Sequence, residues 1–420
     1  MQVVRKNKIP FDSLMRLSFL AMLLVALAAH SSAVTQQREP AGSAKKKYAD
    51  AYTSYRMINL APGLLATIPR INEKGQVAFS MQATPGATGY FYNGSIVRNI
   101  GTLGGKEVLA VDLNDRGQVT GSSTTGSGVK RAFVWSAAVG MQDIGDLPKT
   151  NESEGIAINN RGVVTGASNG HAFRWSAKTG LEELCVLTAG GANVSFGKAL
   201  NHAGAITGAS QTHANNRQVF LWTRAGGFAN IDSLKSSDSI PVAISPKGEV
   251  AGNRVALGGS ALYRPFLWTQ ANGMVDLGIL GGTEAAVVAM TPSLHITGLI
   301  NFAGGTQQAM SWTRTKGMRK LGTLGGASSG ASDINTKGQI VGYAQNKAGE
   351  KRAFIWTTNM GMSDLNEHLY GVPATVVLDA AVSINDSGVI VATSNAGLVL
   401  LRPFVKQTVR HIRGPERPQP

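Results

Sequence analysis

The chain has 420 residues, of which 43% are apolar, only 15% are charged and 51 are glycine. That mixture excludes a chain disordered throughout and suits many short strands joined by tight turns. The formal charge of +15 falls to +12 without residues 1–33 and to about +7 over residues 55–404, so the basicity sits largely at the two ends and does not imply nucleic-acid binding.

At the amino terminus, Arg5, Lys6, Lys8 and Arg16 precede the uncharged run Leu17 to Ala29, and Ser31-Ser32-Ala33 offers the small residues that a signal peptidase reads. This predicts an export signal over 1–33, and Asp12 makes Met15 an alternative start. The apolar run is short for a bilayer span, so none is expected after cleavage. Residues 34–54 read as a flexible basic linker, 55–404 as the folded domain and 405–420 as a disordered basic tail. The single cysteine, Cys185, excludes an intramolecular disulfide; it stands where sister segments carry Leu or Ile and reads as a small buried hydrophobe.

Within the folded domain all six tryptophans keep one spacing: Trp135, Trp175, Trp222, Trp268, Trp312 and Trp356 lie 40, 47, 46, 44 and 44 residues apart. Phe133, Phe173, Phe220, Phe266, Met310 and Phe354 stand two positions earlier, on the same face of a strand. This stripe predicts packing between neighbouring repeats. Each unit carries four apolar runs; in the second they are Val108 to Asn114, Gln118 to Ser122, Arg131 to Trp135 and Met141 to Leu147. The first two runs are joined by Asn-x-x-Gly, at Asn72, Asn114, Asn159, Asn201, Asn335 and Asn385, with Ser245 as a variant. The Asn or Ser side chain can bond the backbone two residues on, and Gly takes the left-handed conformation of a tight hairpin. The sixth unit, Pro292 to His295, has neither residue and predicts an irregular turn.

Four strands repeating every 44 residues or so predict an all-β chain, a β-propeller of eight four-stranded blades, with seven as the alternative. The last unit, Ala381 to Arg402, has only three strands, whereas Tyr55 to Leu60 resembles a fourth. An amino-terminal strand completing the last blade leaves no open sheet edge.

Catalytic motifs are missing. The seven histidines are scattered without an i, i+4 pair, no Gly-x-Ser-x-Gly elbow is present, and Gly101 to Lys106 lacks the spacing of a phosphate loop. No metal or cofactor is implied. Asp143, Asp276 and Asp364 recur before Leu or Ile in the fourth run, which predicts a repeated structural hydrogen bond. His171-Ala172-Phe173, Ala353-Phe354-Ile355-Trp356 and Gly317 to Gly326 resemble the HAF family of probable extracellular repeats, over about residues 55 to 404. The resemblance implies export and a propeller-like array.

The loops opposite the uniform hairpins differ in length and chemistry, and variation on a repeated frame is how a scaffold carries binding. The expected function is an exported, non-enzymatic module, a monomer, holding a protein or glycan of the cell envelope or surroundings. Its candidate contacts are Lys130, Arg131, His213, Asn215, Asn216, Arg217, Arg254, Tyr263, Arg264, Gln307, Lys347 and Arg352. Two other readings stay open. One is a glycan hydrolase or lyase using Glu152 with Glu154, or Glu107 with Asp238, at the channel mouth; the other is a structural envelope or matrix protein.

Overall fold

The computed structural model describes residues 53–148, 151–184, 194–212, 216–255 and 262–405. The expected export signal over 1–33, nearly all of the expected linker over 34–54 and of the expected tail over 405–420, and Cys185, His213 and Asn215 lie outside the described residues. Eight four-stranded antiparallel sheets make the blades of a β-propeller. Blade 1 begins at the strand Arg70–Ile71 and blade 2 at Gly104–Leu113. Blades 3 to 8 begin at Ser153–Ile158, Ser195–Leu200, Asp238–Ile244, Glu284–Met290, Gly325–Ile334 and Leu378–Ile384. These first strands adjoin one another in sequence and return from blade 8 to blade 1, so they form the inner ring. The count is eight, and the seven-bladed alternative falls away.

The ring closes through the chain's two ends. Thr53–Ala61 pairs antiparallel with Gly397–Val405, placing Arg56 opposite Arg402 and Ile58 opposite Leu400, with a bulge between Asn59 and Ala61. Tyr55 and Leu60 are buried, which gives this strand an apolar reason to stay docked.

The aromatic stripe fills the seams between blades. Phe133, Phe173, Phe220, Phe266, Met310 and Phe354 are completely buried, and each full burial of such a side chain is worth about 1.5–3 kcal/mol. Phe91 of blade 1 packs on Trp135 of blade 2 with ring centroids 5.0 Å apart. Val219 and Ile231 of blade 4 share a cluster with Val250, Phe266 and Met274 of blade 5.

Beside these seams runs a polar repeat. In the hairpin of blade 2, Asn114 Oδ1 accepts from the N–H of Arg116 and of Gln118, each at 3.0 Å, while its Nδ2 donates to the Asn159 carbonyl of blade 3 at 2.8 Å. The same amide link joins Asn72 to Asn114, Asn159 to Asn201, Asn201 to Ser245, Asn335 to Asn385 and Asn385 back to Asn72, at 2.9–3.1 Å. One sequence motif therefore both shapes each turn and ties it to the next. The ladder stops at Ser245 and Thr291, which have no amide to donate.

The sixth turn corrects an expectation. It begins one residue earlier, at Thr291, and has the same form as the others: Thr291 Oγ1 accepts from His295 N at 3.1 Å, and Leu294 N donates to the Thr291 carbonyl at 3.0 Å. Leu294 takes the place of Gly with φ +63. The bonds that close the turn, with Thr291 N donating to the His295 carbonyl at 2.9 Å, hold the conformation although the residue disfavours it.

Each of blades 2 to 8 has a bulge in its first strand, three residues before the turn residue, as at Val111, Ile156 and Lys198. It pushes a carbonyl toward the second strand, where six blades carry glycine. A Cβ on Gly208 would fall well inside contact with the Phe196 carbonyl oxygen and 2.7 Å from the Phe220 ring. The fourth strand of blade 2 is shorter than expected, ending at Asp143 rather than Leu147. There Asp143 Oδ1 accepts from Gly145 N at 2.8 Å and turns the chain away. Asp276 and Asp364 do the same with Gly278 N at 2.7 Å and Asn366 N at 2.9 Å, so the repeated aspartate is structural, as expected.

Candidate functional site

Antiparallel pairing sets the start of each first strand beside the end of the second, as with Asp238 opposite Val255, so one face of the ring carries the second-to-third-strand loops and the connections between blades. The candidate contacts that fall within the described residues lie at this end. Most are already engaged. Lys130 Nζ of blade 2 lies 3.2 Å from Glu154 Oε2 of blade 3, and Arg131 pairs with Asp146. Arg217 of blade 4 grips Asp238 of blade 5 through Nε to Oδ1 at 3.0 Å and Nη2 to Oδ2 at 2.5 Å. Arg254 Nη2 and Arg264 Nε both reach Asp276 Oδ2, at 2.6 and 2.7 Å. Burial raises the Asp276 carboxyl, but the bonds from Arg264, Gly278 N–H and Arg254 prevail and hold it below the usual carboxylate range. Arg352 pairs with Glu350 at 2.5 Å.

These pairs span blade seams or steady a loop, so most positive charge on this face is neutralised within the molecule. Among the neutral candidates, Gln307 Nε2 donates to Asn301 Oδ1 at 2.7 Å and its Oε1 accepts from the Tyr343 hydroxyl. Tyr263 is half-buried; burial first, then the Asp238 carboxylate, pushes its phenol up, so it stays protonated as a hydrogen-bond donor. The Asn216 carbonyl accepts from Thr212 N at 2.8 Å. Lys347 is exposed on the turn between the second and third strands of blade 7. Of the carboxylates weighed for hydrolysis, Glu154 is held by Lys130 and Asp238 by Arg217.

A second constellation lies in the inner ring. Two residues before the turn residue, blades 3 to 6 carry Ala157, Ala199, Ala243 and Ala289 and blade 8 carries Ser383, but blades 1, 2 and 7 carry Arg70, Asp112 and Asp333. Lys198 occupies the bulge of blade 4, where most others have Val or Ile. Asp112 Oδ2 accepts from Ile158 N of blade 3 at 2.8 Å, and Asp333 Oδ2 accepts from Ile384 N of blade 8 at 2.9 Å and from Ser383 Oγ at 3.0 Å. Burial pushes both carboxyls up. Burial, then the nearby Arg70 guanidinium, brings the Lys198 amine down to about 8. These four charges were missed in the sequence. Aligning the repeats on their turns finds them, because a charge interrupts a column of small or aliphatic residues.

No family model matches the chain, and no curated protein matches it. Among solved structures it is similar to virginiamycin B lyase from Staphylococcus aureus, at 9% identity and a TM-score of 0.43 over 83% of this chain and 99% of that one. It is also similar to the β-propeller domain of the Trilobed protease from Pyrococcus furiosus, at 11% identity and 0.46 over 74% and 100%. A third is YCF48 bound to D1 peptide, at 9% and 0.41 over 84% and 95%. Likenesses this distant carry no argument about activity.

Proposed function

We propose that this chain is an exported, non-catalytic binding module, akin to the HAF repeats, that holds a protein or glycan of the cell envelope or surroundings on its variable-loop face. The observation that supports this is the contrast between the two faces. One is kept uniform by the asparagine ladder, while the other carries loops of unequal length and chemistry on a frame braced by ion pairs such as Arg217 with Asp238 and Lys130 with Glu154. Because those cations are spent internally, recognition rests on hydrogen-bonding and aromatic groups, among them Tyr263, Gln307 and Asn216, with Lys347 an exposed charge beside them on the loop face.

A glycan array and capture from cell envelopes with the mature chain test this reading. Tyr263→Ala, which removes a contact side chain, and Arg217→Ala, which releases the Asp238 carboxylate beside Tyr263, are each expected to weaken the captured ligand by about tenfold. Circular dichroism serves as the control for fold, since Arg217→Ala also strands Asp238. Unchanged affinity for every captured ligand in both variants rejects the face.

A further inference from the structure

The hairpin face has the opposite electrostatic character. The third turn position, two residues after the Asn or Ser that opens the turn, is Lys74 in blade 1, Arg116 in blade 2, Arg161 in blade 3, Lys247 in blade 5 and Lys337 in blade 7. All five are exposed. None forms an ion pair with a carboxylate among the described residues, whereas cations on the other face do. The carboxylates in these turns have other work: Glu73 Oε2 accepts from Asp386 N at 3.0 Å, Asp115 Oδ1 from Glu73 N at 2.9 Å, and Asp386 Oδ1 from Thr336 N at 2.8 Å. The third-to-fourth-strand turns on this same face add exposed Lys178, Arg314 and Lys316.

Three further observations say what covers this face. First, each turn closes the same backbone bonds and is tied to its neighbour through most of the ring by an amide link, which holds the turns at one level, so the cations form a planar ring rather than a groove. Second, Ile96 of blade 1, Val139 of blade 2 and Met360 of blade 7 stand on the third-to-fourth-strand turns with 50%, 65% and 52% of their surface exposed, on the same side of the ring. Third, the closing pair Thr53 and Val405 sits at this end, so both ends of the described chain lie on this face.

We propose that the hairpin face docks on an anionic phospholipid bilayer, with the ring of cations against the headgroup phosphates and the three apolar tips in the interfacial layer. A flat array of cations flanked by apolar tips matches a charged planar surface. A linear acidic polymer has no use for the apolar tips and engages cations aligned along a groove. With this face down, the variable-loop face points away from the membrane, free for a second ligand.

Co-sedimentation of the mature chain with vesicles tests the proposal. Binding is expected to phosphatidylglycerol in phosphatidylcholine, not to phosphatidylcholine alone, and to be lost at about 0.5 M NaCl, where screening shortens to a few ångströms. The pair Arg116→Glu with Arg161→Glu is expected to weaken binding at least fivefold, and Val139→Asp with Met360→Asp to weaken it as well. The control pair Lys106→Glu with Lys235→Glu, matched in charge but on the opposite face, is expected to leave it unchanged. Absent binding to the anionic vesicles, equal binding to neutral vesicles, equal loss in the control pair, or tighter binding to alginate than to vesicles overturns it.

Discussion

Replacing Gly208 by alanine isolates the packing rule that repeats through the propeller. The added Cβ would overlap the Phe196 carbonyl, pushed outward by the first-strand bulge, and stand 2.7 Å from the Phe220 ring, itself completely buried. Neither neighbour is the loose end of a flexible side chain, so strand and ring must both move. Overpacking of this kind costs about 1–3 kcal/mol, and contact with backbone places Gly208→Ala at the upper end. Two other glycines separate this cause from the general effect of adding a methyl group. Gly204 has open space but φ +89, so alanine there costs about 1 kcal/mol of backbone strain. Gly126 has an ordinary φ and its nearest neighbour at 3.7 Å, so its change stays within about 0.5 kcal/mol. The chain holds its own comparison, since blade 8 carries Ala392 at the corresponding place and its first strand makes two successive register shifts there. Guanidinium unfolding followed by tryptophan fluorescence should rank the midpoints Gly126→Ala, Gly204→Ala, Gly208→Ala from highest to lowest. A midpoint for Gly208→Ala equal to that of Gly126→Ala refutes the reasoning.

Asn385→Ala removes the bond to the Asn72 carbonyl across the closure and the one accepted from Val389 N, both in a buried turn; it should cost about 2–3 kcal/mol by thermal unfolding. Ser245→Asn supplies the missing amide next to Thr291 and is expected to raise the melting temperature, and a lower one counts against the ladder as a source of stability. Lys198 titrates near 8 in the folded ring against 10.5 for the ordinary amine. Between those values the unfolded chain binds more protons, so stability attributable to this group rises with pH over that window. Lys198→Val should therefore show its largest advantage over the parent near neutral pH, about 1 kcal/mol after allowing for the partial exposure of Lys198, and lose it by pH 10 or so. An advantage that does not shrink with pH contradicts the burial of that charge.

The architecture was legible in the sequence because its signals were local and copied. The Trp spacing, the Phe two residues before it and the Asn-x-x-Gly turn each recur, and the missing fourth strand at one end matched the extra one at the other. What escaped was whatever joins distant copies. The Nδ2 of Asn114 looked committed to its own turn, and nothing local shows that it crosses to Asn159. The regular turn at Thr291 was hidden because a threonine opens it in place of Asn and Leu294 takes the left-handed φ in place of Gly. Arg217 and Asp238 are 21 residues apart and their pairing across a seam depends on blade register, so Arg217 looked like a free surface cation. Lys74 and Arg116 occupy ordinary turn positions, and that no carboxylate among the described residues pairs with them is visible only in the folded ring.

The closure of the ring by the two chain ends is tested most directly by a cross-link between Arg56 and Arg402, which face each other across the last blade. In a Cys185→Ser background, Arg56→Cys with Arg402→Cys should form an intramolecular disulfide under mild oxidation, since directly opposed residues on antiparallel strands have Cα atoms about 4.5–5.5 Å apart. The oxidised protein should melt at a higher temperature than the reduced one. Free thiols after oxidation, or only intermolecular dimers, contradict the closed eight-bladed ring.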